Sequence, residues 1–182
     1  MRIIRGKYKG RTFYPEKHFP TRPTTDYAKE GLFNILENSF DFEDVKFLDL
    51  FCGTGNISYE ICSRGCRDIT CIDNYPGCVK FVKETAERLG MDGLNIYRAD
   101  VKQFIENCTE DFDLIFAGPP YAYKFIDKLP DEILGAELLK KDGWFILEHS
   151  PNHNFEVDKR FNFSRNYGKT IFSIFALRKS ND

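Results

Sequence analysis

Four consecutive residues, Gly118-Pro119-Pro120-Tyr121, have the composition of a loop that could hold a flat, nitrogen-bearing group. Neither proline has a backbone N–H, so neither can continue a strand from the apolar run 114–116. The carbonyl oxygens around the prolines accept no hydrogen bonds within a helix, and Tyr121 places an aromatic ring beside these acceptors. Acceptors next to a ring suit a planar amide or a nucleobase, so we predict that this loop contacts the substrate.

A second group of candidate residues follows the first three predicted strands. After the first strand, Gly53 and Gly55 allow the backbone to turn tightly and to approach a ligand before a helix begins. Asp73 closes the second strand, at the distance from these glycines expected for a carboxylate that binds ribose hydroxyls. Asp100 closes the third strand and could accept a hydrogen bond from an adenine amino group. These acids and glycines predict a nucleoside-containing cofactor.

Two cofactors compete for this pattern. A dinucleotide would require a third glycine in its GxGxxG fingerprint, and the chain has Ser58 at that position. The sequence also has no basic residue near the turn that could bind a pyrophosphate. Acids at the ends of three strands, together with Pro-Pro-Tyr after the fourth, favour S-adenosylmethionine. The predicted cofactor-binding residues are Asp49, Phe51, Gly53, Gly55, Asn56, Asp73, Asn74, Asp100 and Val101.

Strands and helices that alternate along the chain must position these residues. Apolar patterning predicts strands at 45–51, 69–72, 94–97, 113–116 and 144–147, a strand hairpin at about 161–177, and helices at 26–39, 57–63, 76–89, 102–107 and 124–139. Pro130 should lie near the start of the last helix or kink it. The alternation predicts an α/β fold with a doubly wound, seven-stranded, mainly parallel sheet and a C-terminal antiparallel hairpin. Ligands bind such sheets beyond the carboxyl ends of the strands, where the candidate residues fall.

Composition narrows the class of protein. A chain of 182 residues that is 42% hydrophobic is long enough for one sizeable core, so we expect a single globular domain. No apolar stretch reaches signal-peptide or membrane-spanning length, which predicts a cytoplasmic protein without membrane contact. The six cysteines form no CxxC pair and are predicted to be reduced and packed, and the three histidines lack metal-ligand spacing, so no metal is predicted.

Positive charge is concentrated at the N-terminus. Residues 1–24 contain seven basic side chains and one acid, a net +6, so the remainder carries −8 of the overall −2. Tyr8, Phe13 and Tyr14 lie between the cations, which favours phosphate neutralisation and base stacking, although a solvated basic hairpin explains the composition equally well. We predict a basic arm or hairpin at 1–24, appended to a catalytic domain at 25–182. The candidate RNA-binding residues are Arg2, Arg5, Lys7, Lys9, Arg11 and Arg22.

Nearly end to end, the chain resembles the RsmD-like methyltransferases, Rossmann-like class I enzymes that modify the exocyclic 2-amino group of a guanine in bacterial 16S ribosomal RNA. The resemblance is carried by residues 1–4, 6–11, 32–36, 47–55, 112–116, 148–150 and 167–170, and most specifically by Thr21-Arg22-Pro23-Thr24-Thr25-Asp26. It implies that Gly118, Pro119, Pro120 and Tyr121 form the catalytic loop, with the Pro119 carbonyl and the Tyr121 ring positioning the base. It also implies S-adenosylmethionine as the cofactor and ribosomal RNA or the small ribosomal subunit as the partner. A monomer is the simpler expectation for the oligomeric state.

One residue departs from the family pattern. The position before Pro-Pro-Tyr is usually Asp, Asn or Ser, and here it is Gly118. Losing a hydrogen bond to a charged group costs about 1.5–3 kcal/mol, or roughly one to two powers of ten in rate. Backbone carbonyls of Gly118 and Pro119 are the predicted replacement, and Glu148 is the nearest candidate for a substitute acid. The alternative is a catalytically impaired RNA-binding or ribosome-assembly protein that retains the fold.

Overall fold

A single seven-stranded sheet runs through the computed structural model, which describes residues 1–16, 18–21 and 24–177. Its strands are β1 Lys46–Leu50, β2 Asp68–Asp73, β3 Leu94–Arg98, β4 Phe112–Ala117, β5 Leu139–His149, β6 Phe161–Tyr167 and β7 Thr170–Ala176. They are ordered β3-β2-β1-β4-β5-β7-β6, with β1 to β5 parallel and β7 antiparallel to both β5 and β6. The predicted mainly parallel sheet with a C-terminal antiparallel hairpin is confirmed.

Helices cover both faces of the sheet. They are α1 Asp26–Glu37, α2 Asn56–Ser63, α3 Pro76–Leu89, α4 Val101–Asn107 and α5 Leu129–Gly135. The first three contribute to one apolar core and the last two to the other. Strand β1 alternates between them, since Phe47 packs into the first core while Leu48 and Leu50 pack into the second. Two buried faces explain why the central strands are almost wholly apolar.

The helices begin and end where the sequence provides caps. Thr25 precedes α1 and its hydroxyl oxygen accepts a hydrogen bond from the Ala28 N–H at 3.2 Å. Pro76 stands in the first turn of α3, and Gly90 follows that helix with a φ of 59°. Asp100 caps α4 by accepting from the Gln103 N–H at 3.1 Å. Local sequence therefore sets the limits of three elements that reach the sheet's carboxyl edge.

The predicted helix at 124–139 is wrong in extent. A 3₁₀ turn occupies Ile126–Lys128, and α5 ends at Gly135, with Pro130 in its first turn as expected. Glu137 has a φ of 56°, which a right-handed helix cannot accommodate. Leu139 already belongs to β5, where it pairs with Phe112. The apolar residues that continued the helical spacing are therefore the start of a strand, which begins five residues earlier than the 144–147 prediction.

The N-terminal residues pack against α2. Arg2 and Thr12 form an isolated antiparallel bridge, and the side chains of Ile3 and Phe13 are buried in the first core. The backbone N–H groups of Ile4 and Arg5 donate to the carboxylate of Glu60 at 2.8 and 3.1 Å. This short hairpin thus shares the core of the domain, and the division at residue 24 stays a prediction.

All six cysteines are unbridged; five are buried, as predicted for packed thiols, whereas Cys108 is partly exposed. Burial raises the pKa of the Cys66 thiol to about 12. Within the described ranges, no cluster of three or more His, Cys, Asp or Glu residues could hold a metal ion. No helix there is both long and apolar enough to cross a membrane.

Candidate active site

A cavity of about 950 Å³ opens at the carboxyl ends of β1, β2 and β4. The strand order reverses between β1 and β4, the position at which open α/β sheets bind ligands. The cavity wall includes most of the cofactor and loop residues predicted from the sequence. These are Asp49, Phe51, Gly53, Asn56, Asp73, Asn74, Asp100 and Val101 from the cofactor set, and Gly118, Pro119, Pro120 and Tyr121 from the loop. The cavity is large enough for a nucleoside cofactor and a base.

Asp73 holds the glycine turn in place. One of its carboxylate oxygens accepts from the Gly53 N–H at 2.8 Å, and the other accepts from the Tyr75 N–H at 2.8 Å. Burial raises the pKa of Asp73, against the opposing effect of these backbone donors. A carboxylate offers about four acceptor positions, so both oxygens can accept a further hydrogen bond from a ligand hydroxyl.

Gly55 has a different task from the other predicted residues, because it is not part of the cavity wall. Its φ is 80°, and a Cβ at this position would lie 2.6 Å from Cζ of the buried Tyr59. Only glycine satisfies both the left-handed backbone and the close approach. Gly55 therefore lets α2 begin tightly against the turn, and the adjacent Thr54 and Asn56 reach the cavity.

Asp49 is a buried carboxyl with one unused oxygen. Its side chain is 1% exposed, and Oδ2 accepts a hydrogen bond from the Ser58 hydroxyl at 2.5 Å. Oδ1 has no hydrogen-bond partner among the described residues. Burial, together with the negative charges of Asp73 and Glu148, raises the pKa of Asp49 to about 7, against the lowering effect of the Ser58 hydrogen bond. A buried acceptor at the cavity wall fits a ligand that brings a hydrogen-bond donor or a positive charge.

Two aromatic rings form another part of the wall. Phe51 has a φ of 63°, a strained conformation for a residue with a side chain, and it lines the cavity directly after β1. Its ring meets that of Tyr123 edge to face, with the centroids 5.0 Å apart. The exposed Asp100, at the start of α4, also borders the cavity. An apolar wall ending in a carboxylate suits a heteroaromatic ring with an amino group.

The Pro-Pro-Tyr loop leaves the sheet next to β1. The Gly118 N–H donates to the Leu50 carbonyl at 3.3 Å, and the Tyr123 N–H donates to the Pro120 carbonyl at 2.8 Å, closing a turn. Tyr121 is 64% exposed and borders the same cavity. Its ring therefore lies at the entrance, where an incoming base could stack on it.

Among the cavity residues outside the predicted site residues, Glu148 and Thr24 are in contact with each other. Glu148, near the end of β5, has Oε2 within 3.6 Å of the position that a Cβ on Gly118 would occupy. The Thr24 hydroxyl donates to that same oxygen at 2.6 Å. The Glu148 candidate raised by the sequence therefore does reach the loop. In the sequence, Thr24 stood out only as part of the Thr21-to-Asp26 segment that carries the family resemblance, and Thr25 is the residue that caps α1.

A buried polar network connects Thr24 to the N-terminal hairpin. The Asn56 side-chain amide donates to the Thr24 carbonyl at 2.8 Å, and its oxygen accepts from Lys29 Nζ at 2.9 Å. Lys29 Nζ also donates to the Arg2 carbonyl at 2.6 Å and lies 3.3 Å from the Glu60 carboxylate. Burial lowers the pKa of Lys29. The ion pair between Lys29 and Glu60 was not predicted from the sequence, although a lysine on the apolar face of α1 was a visible signal.

The five candidate RNA-binding residues that the structure describes are not part of the cavity wall. Arg2 pairs with Asp26 at 3.3 Å, and Arg5 pairs with Glu37 at 3.1 Å. The side chains of Lys7, Lys9 and Arg11 are exposed, whereas Arg22 lies outside the described residues. The structure thus places the N-terminal cations on the surface beside α1 and α2, and the cofactor and loop residues together in the cavity.

Comparison with known proteins gives a consistent family. A family model described as Conserved hypothetical protein 95 matches residues 1–176. YlbH of Bacillus subtilis (strain 168), provisionally named an rRNA methyltransferase, is 32% identical over 153 residues, which cover 82% of each chain. The ribosomal RNA small subunit methyltransferase D of Buchnera aphidicola subsp. Baizongia pistaciae is 27% identical over 154 residues, or 85% of this chain and 78% of the relative.

Among solved structures, Escherichia coli YhhF, provisionally titled a methyltransferase, superposes with a TM-score of 0.85. The match covers 98% of this chain and 99% of that one at 18% identity. At this identity the likeness establishes the fold alone. The strand order and the C-terminal hairpin described above are thus those of a Rossmann-like methyltransferase.

Proposed function

The chain belongs to the Conserved hypothetical protein 95 family of RsmD-like proteins, and from this membership we propose that it transfers a methyl group from S-adenosylmethionine to the 2-amino group of a guanine in small-subunit ribosomal RNA. One observation carries the proposal. Asp49 near the end of β1, Asp73 at the end of β2, the Asp100 cap and the Gly118-to-Tyr121 loop all border one cavity. A nucleoside cofactor and a base can therefore meet there.

The residues present fit the cofactor. Asp73 would bind the ribose hydroxyls, Asp100 would accept from the adenine amino group, and the unpaired Oδ1 of Asp49 would face a donor on the ligand. When bound, the cofactor supplies a methyl group on a cationic sulfur, and the nitrogen lone pair forms the new C–N bond as the electrons of the C–S bond stay on sulfur. The chain's own task is to hold and orient the amino group.

The loop from Gly118 to Tyr121 supplies the groups that would hold and orient the amino group. The 2-amino nitrogen of guanine is a weak nucleophile because its lone pair is delocalised into the ring, and acceptors that orient its N–H bonds favour attack. The Pro119 carbonyl would accept one N–H, and the exposed ring of Tyr121 would stack on the base. The name of the Buchnera relative supports a small-subunit RNA as the substrate.

The N-terminal hairpin would bind the RNA backbone. Lys7, Lys9 and Arg11 are exposed and can neutralise phosphates without leaving a buried partner unpaired. Arg22 belongs to the same proposal on sequence grounds alone. A monomer that acts on the small ribosomal subunit is the assembly we propose.

The proposed function is tested by transfer of a labelled methyl group to small ribosomal subunits, and to naked RNA, from a strain lacking the cognate enzyme. We expect N2-methylguanine after hydrolysis of the RNA, and a Tyr121→Ala variant slower by about tenfold or more, since base stacking contributes roughly 1–3 kcal/mol. Tyr97→Ala, which removes an exposed ring from β3 away from the cavity, is the matched control.

Tight binding of S-adenosylhomocysteine without methyl transfer to either substrate would contradict the proposal. It would favour the alternative of an RNA-binding or ribosome-assembly protein that retains the methyltransferase fold. Transfer to an amino group other than N2 of guanine would keep the reaction class and change the substrate.

A further inference from the structure

Position 118 carries no side chain, yet a carboxylate lies beside it. Ala117 pairs with Leu147 in the β4–β5 register, so the next residues along the two parallel strands are Gly118 and Glu148. Glu148 Oε2 is 3.6 Å from the point where a Cβ on Gly118 would stand. That distance is ordinary contact, so the Glu148 carboxylate occupies the space next to the missing side chain.

This carboxylate is held by its surroundings. Thr24 donates its hydroxyl hydrogen bond to Oε2 at 2.6 Å. The Thr24 carbonyl is in turn bound by the Asn56 amide at 2.8 Å, and Asn56 is bound by the buried Lys29 at 2.9 Å. A glutamate fixed in this way loses less side-chain entropy when it binds a ligand. Glu148 also borders the cavity together with Pro119 and Tyr121.

We propose that Glu148 is a catalytic residue that accepts a hydrogen bond from the target amino group, supplying from β5 the carboxylate that position 118 lacks. This inference rests on the proposed function and identifies the acceptor within the same cavity. One N–H of the amino group is directed to the Pro119 carbonyl and the other to Glu148. Thr24 acts through Glu148 and is a positioning residue.

The Glu148 carboxylate also accepts the proton that the amino nitrogen must lose after methyl transfer. After methyl transfer the nitrogen bears a positive charge and one N–H too many. That N–H bond breaks with its electrons remaining on nitrogen, which neutralises the charge, and the proton passes to a Glu148 oxygen and from there to water. No oxidant, reductant or second co-reactant is required.

The geometry also predicts that the usual family residue would be out of place here. A Cβ on residue 118 would lie 3.0 Å from Cε1 of Phe116, so the ring would have to shift by a few tenths of an ångström. An aspartate would then bring a second carboxylate against Glu148, and two carboxylates in one site cannot readily both ionise. Gly118 and Glu148 therefore form a matched pair.

The test moves the carboxylate from position 148 to position 118. Four variants of the full chain are compared with wild type: Glu148→Gln, Gly118→Asp, the double variant Gly118→Asp/Glu148→Gln, and Gly118→Ala/Glu148→Gln as the control for the added Cβ. Each is assayed for kcat and KM with small ribosomal subunits and for S-adenosylhomocysteine binding by calorimetry. Glu84→Gln, an exposed carboxyl on α3, controls for loss of charge alone.

We expect Glu148→Gln to lower kcat by about tenfold to a hundredfold, with the KM for RNA and the binding of S-adenosylhomocysteine changed less than twofold. Gly118→Asp alone should lower kcat, whereas the double variant with aspartate should recover at least tenfold over Glu148→Gln. The alanine double variant should recover nothing. Rescue by a carboxylate at the neighbouring position is a result that a merely structural Glu148 would not give.

A Glu148→Gln variant with wild-type kcat would overturn the inference, as would a folded aspartate double variant no faster than the alanine one. If that double variant does not fold, Thr24→Val decides the question. It should lower kcat severalfold in the wild-type background and have no effect in Glu148→Gln, and equal effects in both backgrounds would refute the role of Glu148. An inactive wild type would instead refute the proposed function itself, and the role of Glu148 with it.

Discussion

The backbone N–H of Gly53 donates a hydrogen bond to Oδ2 of Asp73 at 2.8 Å, so the end of the second strand holds the turn that follows the first. The same carboxylate accepts from the Tyr75 N–H through its other oxygen. The conformation of the turn therefore depends on the side chain that we propose to bind the ribose.

We expect Asp73→Asn to weaken S-adenosylhomocysteine binding by about tenfold to a hundredfold and to destabilise the fold by roughly 1–3 kcal/mol, because the amide nitrogen must face a backbone donor. Calorimetry and urea denaturation measure the two effects. Asp68→Asn changes the exposed acid at the other end of β2 and should alter neither quantity. Unchanged ligand affinity in Asp73→Asn would rule out its role in binding the ribose.

The pKa of Asp49 predicts a pH dependence of stability. Burial raises this pKa from 3.8 to about 7, so between these values the folded protein retains a proton that the unfolded chain has released. The stabilisation is fully present below pH 3.8 and is lost as the pH rises towards 7. Asp49→Asn cannot titrate. Relative to this variant, the wild type should lose roughly 2–3 kcal/mol between pH 5 and pH 8.

Urea denaturation at pH 5, 6, 7 and 8 measures that difference. The exposed Asp111, changed to asparagine, controls for the removal of a carboxylate from the surface. A constant difference between wild type and Asp49→Asn across this range would show that Asp49 titrates normally in the folded protein.

Gly55 and Gly90 differ in why a side chain would be unfavourable at each position. Both have positive φ angles, 80° and 59°, but a Cβ on Gly90 would meet nothing within 4 Å, whereas one on Gly55 would lie 2.6 Å from the Tyr59 ring. Tyr59 cannot yield easily, because it is fully buried and packs against Phe13. We expect Gly90→Ala to cost about 1–2 kcal/mol and Gly55→Ala at least twice as much. Equal changes in the free energy of unfolding would contradict this account.

The buried Glu60 should matter more than its partner Lys29. Glu60 binds Lys29, the Arg64 guanidinium and two backbone N–H groups of the N-terminal hairpin. Glu60→Gln leaves the buried Lys29 without an anion, while Arg64 retains Glu37 at 2.6 Å, and should cost about 3–5 kcal/mol. Lys29→Met leaves Glu60 with the Arg64 partner and should cost less.

Limited trypsin digestion gives a second measure of this network. Loss of the Glu60 acceptors should release the hairpin and speed cleavage after Arg5, Lys7 and Lys9, with the rest of the chain cut later. Cleavage at wild-type rates in Glu60→Gln would mean that the apolar contacts of Ile3 and Phe13 suffice to hold the hairpin.

The role of the N-terminal cations is tested by salt dependence. Neutralising Lys7, Lys9 and Arg11 to glutamine should reduce the slope of log K for RNA binding against log salt by about 2, since each phosphate contact to a single strand contributes roughly 0.7. A matched triple variant at Lys80, Lys83 and Lys102, exposed on α3 and α4, controls for net charge. The same slope in both triple variants would exclude a specific role for the hairpin.

Local patterns in the sequence were enough to predict the sheet and most of the cavity. Periodicity gave the alternation of strands and helices, prolines 119 and 120 ended β4, and the acids at strand ends were brought to one edge because parallel strands share a carboxyl edge. These features depend on a few consecutive residues and on the rules of parallel sheets. The helix predicted to run to Leu139 failed because a positive φ at Glu137 and pairing with Phe112 override local spacing.

The environment of Gly118, by contrast, follows from the packing of segments that are far apart in the chain. The sequence established that this position lacks a side chain, and it offered Glu148 as a candidate without placing it. The register of β4 against β5 brings Glu148 beside Gly118, and a hydrogen bond across 124 residues fixes it to Thr24. Such contacts depend on how distant segments pack, which no local pattern encodes. The sequence thus determined that an acceptor was missing, and the fold decided which side chain stands in its place.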